Sequence, residues 1–266
     1  MSIRAIARMT GASKNTIVKL LADAGEAFTA YQDTAFRNLS CKRIQCDEVW
    51  SFCYAKEKNV PHELKGIFGY GDVWTWTAIC ADTKLVPSWF VSTRDGEAAK
   101  VFVSDLASRL ANRVQLTTDG HRAYLQAVED AFGADVDYAM LVKLYGVPAG
   151  GENERRYSPA ECTGTVKGVV NGKPADRHVS TSYVERQNLS MRMGMRRFTR
   201  LTNAHSKKIE NHIHAIAIYF MHYNFVRIHQ TLRVTPAMEA GVTQKLMSLE
   251  DMIAIVDDYE MIKNSN

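Results

Sequence analysis

Lys42-Arg43-Ile44-Gln45-Cys46-Asp47-Glu48-Val49-Trp50-Ser51-Phe52-Cys53-Tyr54 is the stretch on which the fold turns. β-Branched and aromatic residues dominate it, and neither Gly nor Pro interrupts it. It therefore reads as a β-strand. Two acids, Asp47 and Glu48, sit side by side in its middle. Successive side chains alternate across a strand, so Glu48 is expected to face away from Asp47 and to be held in a salt bridge.

Working outward, residues 73–80 and 85–92 read as two further strands joined by the turn Ala81-Asp82-Thr83-Lys84, an antiparallel meander. Residues 97–110 carry Ala98, Val101, Phe102, Leu106 and Leu110 at helical spacing. A short strand over 113–118 ends at Asp119-Gly120, a helix follows over 122–132, and 138–144 is a fifth strand. The order βββ-α-β-α-β is that of the ribonuclease H-like fold, an α/β architecture with a mixed sheet flanked by helices. Residues 146–178 hold six of the chain's sixteen glycines and three prolines, and read as an inserted loop or small hairpin. From Ser182 the chain is expected to be mostly helical to His229, broken near Leu201-Thr202-Asn203.

Ahead of the strands, Ile3, Ile6 and Ala7 and then Ile17, Val18 and Leu20 place apolar residues on two short helices about Thr10-Gly11-Ala12. This is helix-turn-helix spacing, with Gly11 where the turn needs positive φ and Ser13 as N-cap of the second helix. Ile17 and Leu20 are expected to pack that helix back. Lys14, Asn15, Thr16 and Lys19 then face outward, as a DNA-recognition helix would present them. A separate short helix over 25–38 is expected to link to the main domain. The resulting division is 1–38 helix-turn-helix and linker, 39–240 catalytic domain, and 241–266 acidic C-terminal helix.

With 266 residues, 46% hydrophobic and 23% charged, the chain excludes collagen-like, disordered and mini-protein classes. The net charge is only +4, so a nucleic-acid surface has to be local. From Arg186 to Arg233 there are nine Arg or Lys and one acid, Glu210; from Glu239 to Lys263 there are six acids and two lysines. A basic face followed by an acidic segment is expected. No secretory signal or membrane span is apparent, and five cysteines without a C-x-x-C pair fit a reducing compartment as buried thiols. A cytoplasmic, nucleoid-associated protein is expected. His212 and His214 lie on different helix faces with no cysteine partner, and their helix reads as a core element, not a zinc site.

The chemistry concentrates in three carboxylates. Asp47 lies mid-strand, Asp119 at the end of the fourth strand, and Glu185 in the first turn of the basic helix. In the inferred fold the first and fourth strands are central neighbours and the helix packs across their ends, so the three acids converge. Clustered carboxylates suit hard divalent cations, which serve phosphodiester chemistry without a covalent enzyme intermediate. Ser182-x-x-Glu185 also fits a helix capping box, a purely structural reading of Glu185.

Cys46-Asp47-Glu48-Val49-Trp50, Thr118-Asp119-Gly120-His121-Arg122-Ala123-Tyr124, Tyr183-Val184-Glu185-Arg186-Gln187-Asn188 and Tyr223-Asn224-Phe225-Val226-Arg227-Ile228-His229-Gln230-Thr231-Leu232 with Thr235-Pro236 together resemble the DDE transposases of the insertion sequence 1 family. The resemblance covers nearly the whole chain. It implies DNA cleavage at element ends and strand transfer into target DNA, catalysed by Asp47, Asp119 and Glu185 holding two Mg²⁺, with Mn²⁺ able to substitute. It also implies double-stranded DNA as partner and a homodimer or higher multimer as the working form. Arg192 and Arg196, at +7 and +11 from Glu185, fall within about 20° of it on a helix and form an expected DNA-binding stripe. Two alternatives stay open: a DNA-binding regulator with a degenerate catalytic domain, and another nuclease of the same fold.

Overall fold

The computed structural model describes residues 2–146, 162–199 and 201–265. A six-stranded mixed sheet forms its centre: β1 (Arg43–Cys53), β2 (Gly71–Cys80), β3 (Ser88–Ser92), β4 (Val114–Thr118), β5 (Val136–Tyr145) and β6 (Cys162–Asn171). Their order is β3-β2-β1-β4-β5-β6. The first three strands form the expected antiparallel meander, and β1 pairs parallel with β4, which pairs parallel with β5. Helix α3 (Gly96–Arg109) links β3 to β4, and α4 (Ala123–Phe132) links β4 to β5. The expected third strand over 85–92 is shorter by three residues, because Pro87 cannot donate to a ladder and β3 starts after it.

The alternation along β1 and β2 sorts side chains onto two cores. Ile44 and Cys46 with Trp76, Ala78 and Cys80 pack against Phe102, Leu106 and Tyr124 on one face. Val49, Cys53, Val73 and Ile79 pack against Val184, Met191 and Phe220 on the other. The second face is covered by α5 (Ser182–Gly194) and α6 (Ile209–Met221). Four of the five thiols are buried, whereas Cys162, at the start of β6, is exposed, against the expectation.

The segment expected as a loop or hairpin, 146–178, is in part a strand. β6 runs antiparallel to β5 and extends the sheet by one; residues 147–161 lie outside the described residues. The helical stretch after Ser182 breaks earlier and for longer than expected, between Gly194 and Ile209. Helix α6 then runs into one π turn, His222–Val226, followed by α7 (Pro236–Glu239) and α8 (Leu249–Ser265). The acidic C-terminal helix thus begins at 249, not 241.

At the N-terminus, α1 (Ile3–Thr10) and α2 (Lys14–Ala35) meet at Gly11, whose φ of 74° is the left-handed turn the spacing required. Ser13 caps α2 by accepting from Thr16 N at 3.0 Å. Two expectations fail here. The second helix does not stop: it runs on to Ala35, so 25–38 is not a separate helix. Its C-terminal half buries Ala27, Phe28 and Gln32 against the main core. The backbones approach so closely that a Cβ on Gly25 would sit 2.3 Å from His214 Cβ of α6. Leu20, expected to pack the helix back, is 61% exposed. No helix among the described residues is long and apolar enough to cross a membrane.

Candidate metal centre

The β1–β4 ladder stops at Cys46↔Thr118, one residue short of both Asp47 and Asp119. Beyond that point the chain turns away at Asp119-Gly120 while β1 continues, leaving a cleft between the carboxyl end of β4 and the middle of β1. Such ends are where open α/β sheets place ligands. The cleft has a volume of about 680 Å³ and is bordered by Asp47, Glu48, Asp119 and Glu185, with Arg94, Lys143 and Arg192 among its basic groups.

Helix α5 is tied over β1 by two side chains. Gln45 Oε1 accepts from the backbone N–H of Tyr183 at 2.8 Å and of Val184 at 3.2 Å, so a strand residue caps the helix. Asn188 Nδ2 donates to Asp47 Oδ2 at 2.9 Å. Gln45 and Asp47 are two apart and share one face of the strand, which is why both reach α5. The capping box read from Ser182-x-x-Glu185 does not form: Thr181 occupies the N-cap position, and its hydroxyl donates to Glu185 Oε1.

Glu48 takes the opposite face and the expected salt bridge, with Arg94 Nε 2.9 Å from Oε2. The alternation did not foretell that Asp119, at the sheet's break, comes within reach of both acids. One oxygen each from Asp47, Glu48 and Asp119 all fall within 4.8 Å of one another. Glu48 is therefore a member of the acidic cluster, which sequence reasoning missed; the available signal was its adjacency to Asp47 beside a strand end. Arg94 joins the group from the other side, with Nη2 3.6 Å from Asp119 Oδ2 and its guanidinium 4.6 Å from the Trp74 ring.

Glu185 borders the same cleft and adds to the negative field at Asp47, but it stands outside that close trio. Its carboxylate is held by the Lys143 ammonium and the Thr181 hydroxyl.

The electrostatics follow from burial. Asp47 is pushed up to about 7, first by desolvation and then by the charges of Glu48 and Asp119. Glu48 is raised by burial in the same way. Glu48 Oε1 and Asn188 Oδ1 are buried with no hydrogen-bond partner. Crowded carboxylates and orphaned oxygens form a donor set suited to a hard divalent cation, whose charge would relieve the repulsion and fill the lone pairs. Asp47, Glu48 and Asp119 would hold it, with Glu185 and Asn188 at the margin.

The other expected contacts divide. Arg192 borders the cleft as placed. Arg196 does not: α5 ends at Gly194, Met195 is extended, and Arg196 lies in a 3₁₀ turn, so the helical stripe ends one turn early. Lys14, Asn15 and Thr16 are exposed on the first turn of α2. Lys19 is exposed too, but its ammonium lies 2.6 Å from Asp23 and 3.8 Å from Glu260 of α8. His212 is fully buried in the second core, against Phe198 and within 3.1 Å of Ser51 Oγ.

Compared with known protein families and with curated proteins, the chain matches none.

Proposed function

We propose that this protein is a metal-dependent DNA strand-transferase of the DDE type, a transposase resembling the insertion sequence 1 family, built on a ribonuclease H-like fold. The observation that carries the reading is the meeting of Asp47 and Asp119 at the break between neighbouring parallel strands, under a helix that brings Glu185 to the same cleft. The strand order β3-β2-β1-β4-β5, with an antiparallel meander followed by two parallel strands, agrees with that fold.

Two Mg²⁺ ions, or Mn²⁺ in their place, would neutralise charge at the scissile phosphate and at the attacking and leaving oxygens. The chain's own residues do the rest. Asp47, Glu48 and Asp119 supply hard oxygen ligands, and Asn188 orients the Asp47 carboxylate through its 2.9 Å hydrogen bond. Arg94 partly balances Glu48 and Asp119, which lets three acids share one cleft. Lys143 holds Glu185 until substrate or cation competes for it. Arg192 stands at the cleft to take a phosphate of the outgoing strand through paired hydrogen bonds. The turn at Gly11 and the exposed Lys14, Asn15 and Thr16 suit a helix-turn-helix that reads the element end. A homodimer or higher multimer holding two DNA ends, working at the nucleoid, completes the reading.

The test is cleavage and joining of an end duplex with Mg²⁺. Asp47→Ala, Asp119→Ala and Glu185→Gln are each expected to abolish both steps while leaving duplex binding largely intact, since ligand loss does not remove phosphate contacts. Ca²⁺ in place of Mg²⁺ is expected to permit binding without turnover. Binding with no cleavage by the unaltered chain would favour the regulator, and cleavage without joining would favour a nuclease.

A further inference from the structure

On the far side of α5 from Glu185, a second pocket of about 310 Å³ opens between that helix, the turn after β2 and the π turn that ends α6. Three cations border it: Lys84, Arg186 and Arg227. No carboxylate does. The clefts elsewhere are different, because Arg43, Arg94 and Lys143 each lie against an acid. Lys84, Arg186 and Arg227 form no ion pair among the described residues, and the remaining border mixes polar groups, Gln187, Ser190 and Thr231 among them, with Ile79 and the rings of Tyr183 and Tyr223. Like charges repel, and although Asp82 feels the charge of Lys84 from outside the pocket, no acid borders the three cations, so the fold leaves them a counter-charge to find.

The pocket is built, not incidental. The Asn224 side chain clamps Val86 from both ends, Oδ1 accepting from its N–H at 3.0 Å and Nδ2 donating to its carbonyl at 3.1 Å. Tyr223 Oη donates to the Lys84 carbonyl at 3.0 Å. These contacts lock the π turn to the loop that carries Lys84 and fix where Arg227 leaves it. Lys84 takes a left-handed φ of 61° and lays its ammonium 3.4 Å from the centre of the Tyr183 ring. Burial, then Lys84 and Arg227, hold His229 below its ordinary value, in keeping with a positive potential there.

We infer that the Lys84–Arg186–Arg227 pocket is a second phosphate-binding site for a nucleic-acid strand, independent of any divalent cation. Tyr183, Arg186, Gln187 and Ser190 span eight residues along α5, about 10 Å, which is longer than one phosphate and suits a phosphodiester chain. Glu185 and Arg192 border the acidic cleft on the opposite side of the same helix, about one helix diameter away, ~10–12 Å. A strand crossing α5 would touch both. The inference rests on the proposed function only in taking nucleic acid as the substrate.

The experiment measures binding of a duplex of about 30 base pairs in EDTA over a salt series, for the unaltered chain, Arg186→Ala, Arg227→Ala, the double variant and Arg227→Lys. Both arginines are exposed, so folding is expected to survive, and thermal unfolding checks it. The double variant is expected to lose at least about tenfold in affinity, and its log–log salt slope to fall by about 1.8, roughly 0.9 per lost phosphate contact. Arg227→Lys should recover most of the Arg227→Ala loss, because a point charge still meets a phosphate. Inorganic phosphate and a mononucleotide, added as competitors, should displace the duplex only weakly; strong displacement by either would make this a small-anion pocket and overturn the strand assignment. Unchanged affinity and slope in the folded double variant, or no duplex binding by the unaltered chain in EDTA, would also overturn it. If Mg²⁺ never supports cleavage yet the double variant loses binding, the pocket stands and the transferase reading falls. If cleavage occurs and the double variant binds normally, the reverse holds.

Discussion

Asn188 Nδ2 lies 2.9 Å from Oδ2 of Asp47, joining the middle of β1 to the second turn of α5 across 141 residues of chain. Together with Gln45, which caps the same helix from the same strand face, it fixes where Glu185 meets the acidic cleft. The geometry of the candidate centre is thus set by two amides that carry no charge.

Removing the cap should therefore act on both stability and alignment. Gln45→Leu leaves the N–H groups of Tyr183 and Val184 without their acceptor at a partly buried helix start, a cost of about 1–3 kcal/mol. Denaturant unfolding measures it. Metal-dependent cleavage should fall further than duplex binding; equal losses in the two would show that α5 is not positioned through Gln45.

The Asp47 carboxyl ionises near 3.8 in an ordinary setting and at about 7 in the folded chain. Between those values the folded state keeps a proton that the unfolded state has lost, so this group's contribution makes stability fall as pH rises through the window. Asp47→Asn should be more stable than the unaltered metal-free chain above pH 7, by about 2–4 °C in Tm for each 1 kcal/mol gained, and indistinguishable below about pH 4. Asn188 can turn its orphaned Oδ1 toward the new amide, so the contact survives.

Buried His212 has the opposite sign. Burial, then Arg197, lower it from 6.5 to about 3, so the unfolded chain takes up a proton over that range which the folded chain refuses. Its contribution to stability is lost as pH falls from 6.5 toward 3. His212→Gln should lessen the acid loss relative to the unaltered chain, whatever its cost at neutral pH. A stability difference between the two that is constant from pH 4 to pH 7 would place His212 in a less buried setting than the second core.

Arg94 neutralises part of the cluster through Glu48 at 2.9 Å and Asp119 at 3.6 Å. Arg94→Gln should destabilise the metal-free chain by roughly 1–3 kcal/mol, because a buried carboxylate loses its partner. Added Mg²⁺ should then raise the Tm of the variant more than that of the unaltered chain. A smaller rise in the variant would mean that Arg94 helps to build the cation site and does not substitute for the cation.

Because α2 runs unbroken into the core at Ala27 and Phe28, the proposed recognition role of its first turn is tested by point substitution and not by truncation. Asn15→Ala with Thr16→Ala should weaken binding of a cognate end by about tenfold, at roughly 1–3 kcal/mol for a base contact, with little effect on unrelated duplex, whereas Lys14→Ala, the loss of a phosphate contact, should weaken both. Lys19→Ala should do less, since Asp23 and Glu260 already occupy its ammonium. Equal affinities for cognate and unrelated DNA in the unaltered chain would remove the reader from this helix.

Much was legible in the sequence because it depends on local periodicity. The Ile, Val and aromatic run around Asp47, the turn acids at Asp119-Gly120, the left-handed Gly11 and the Ser13 cap all state their backbone preferences within a few residues. From these followed the meander, the central place of β4 beside β1, and the nearness of Asp47 to Asp119. What only tertiary structure decided are contacts between groups far apart in sequence. The alternation rule sent Glu48 to its own face and to a salt bridge, yet the break in the ladder at Thr118 put Asp119 within reach of both faces. Helical spacing carried Arg196 onto the Glu185 stripe, but α5 ends at Gly194, where a Cβ would press 3.2 Å from the Tyr219 ring. The capping box at Ser182 does not form because Thr181 takes the N-cap place and its carbonyl the Glu185 N–H, while Gln45 of the adjoining strand, 137 residues before Ser182, takes the N–H groups of Tyr183 and Val184. Local preference names the elements; which side chains meet is decided by where those elements stop and what packs against their ends.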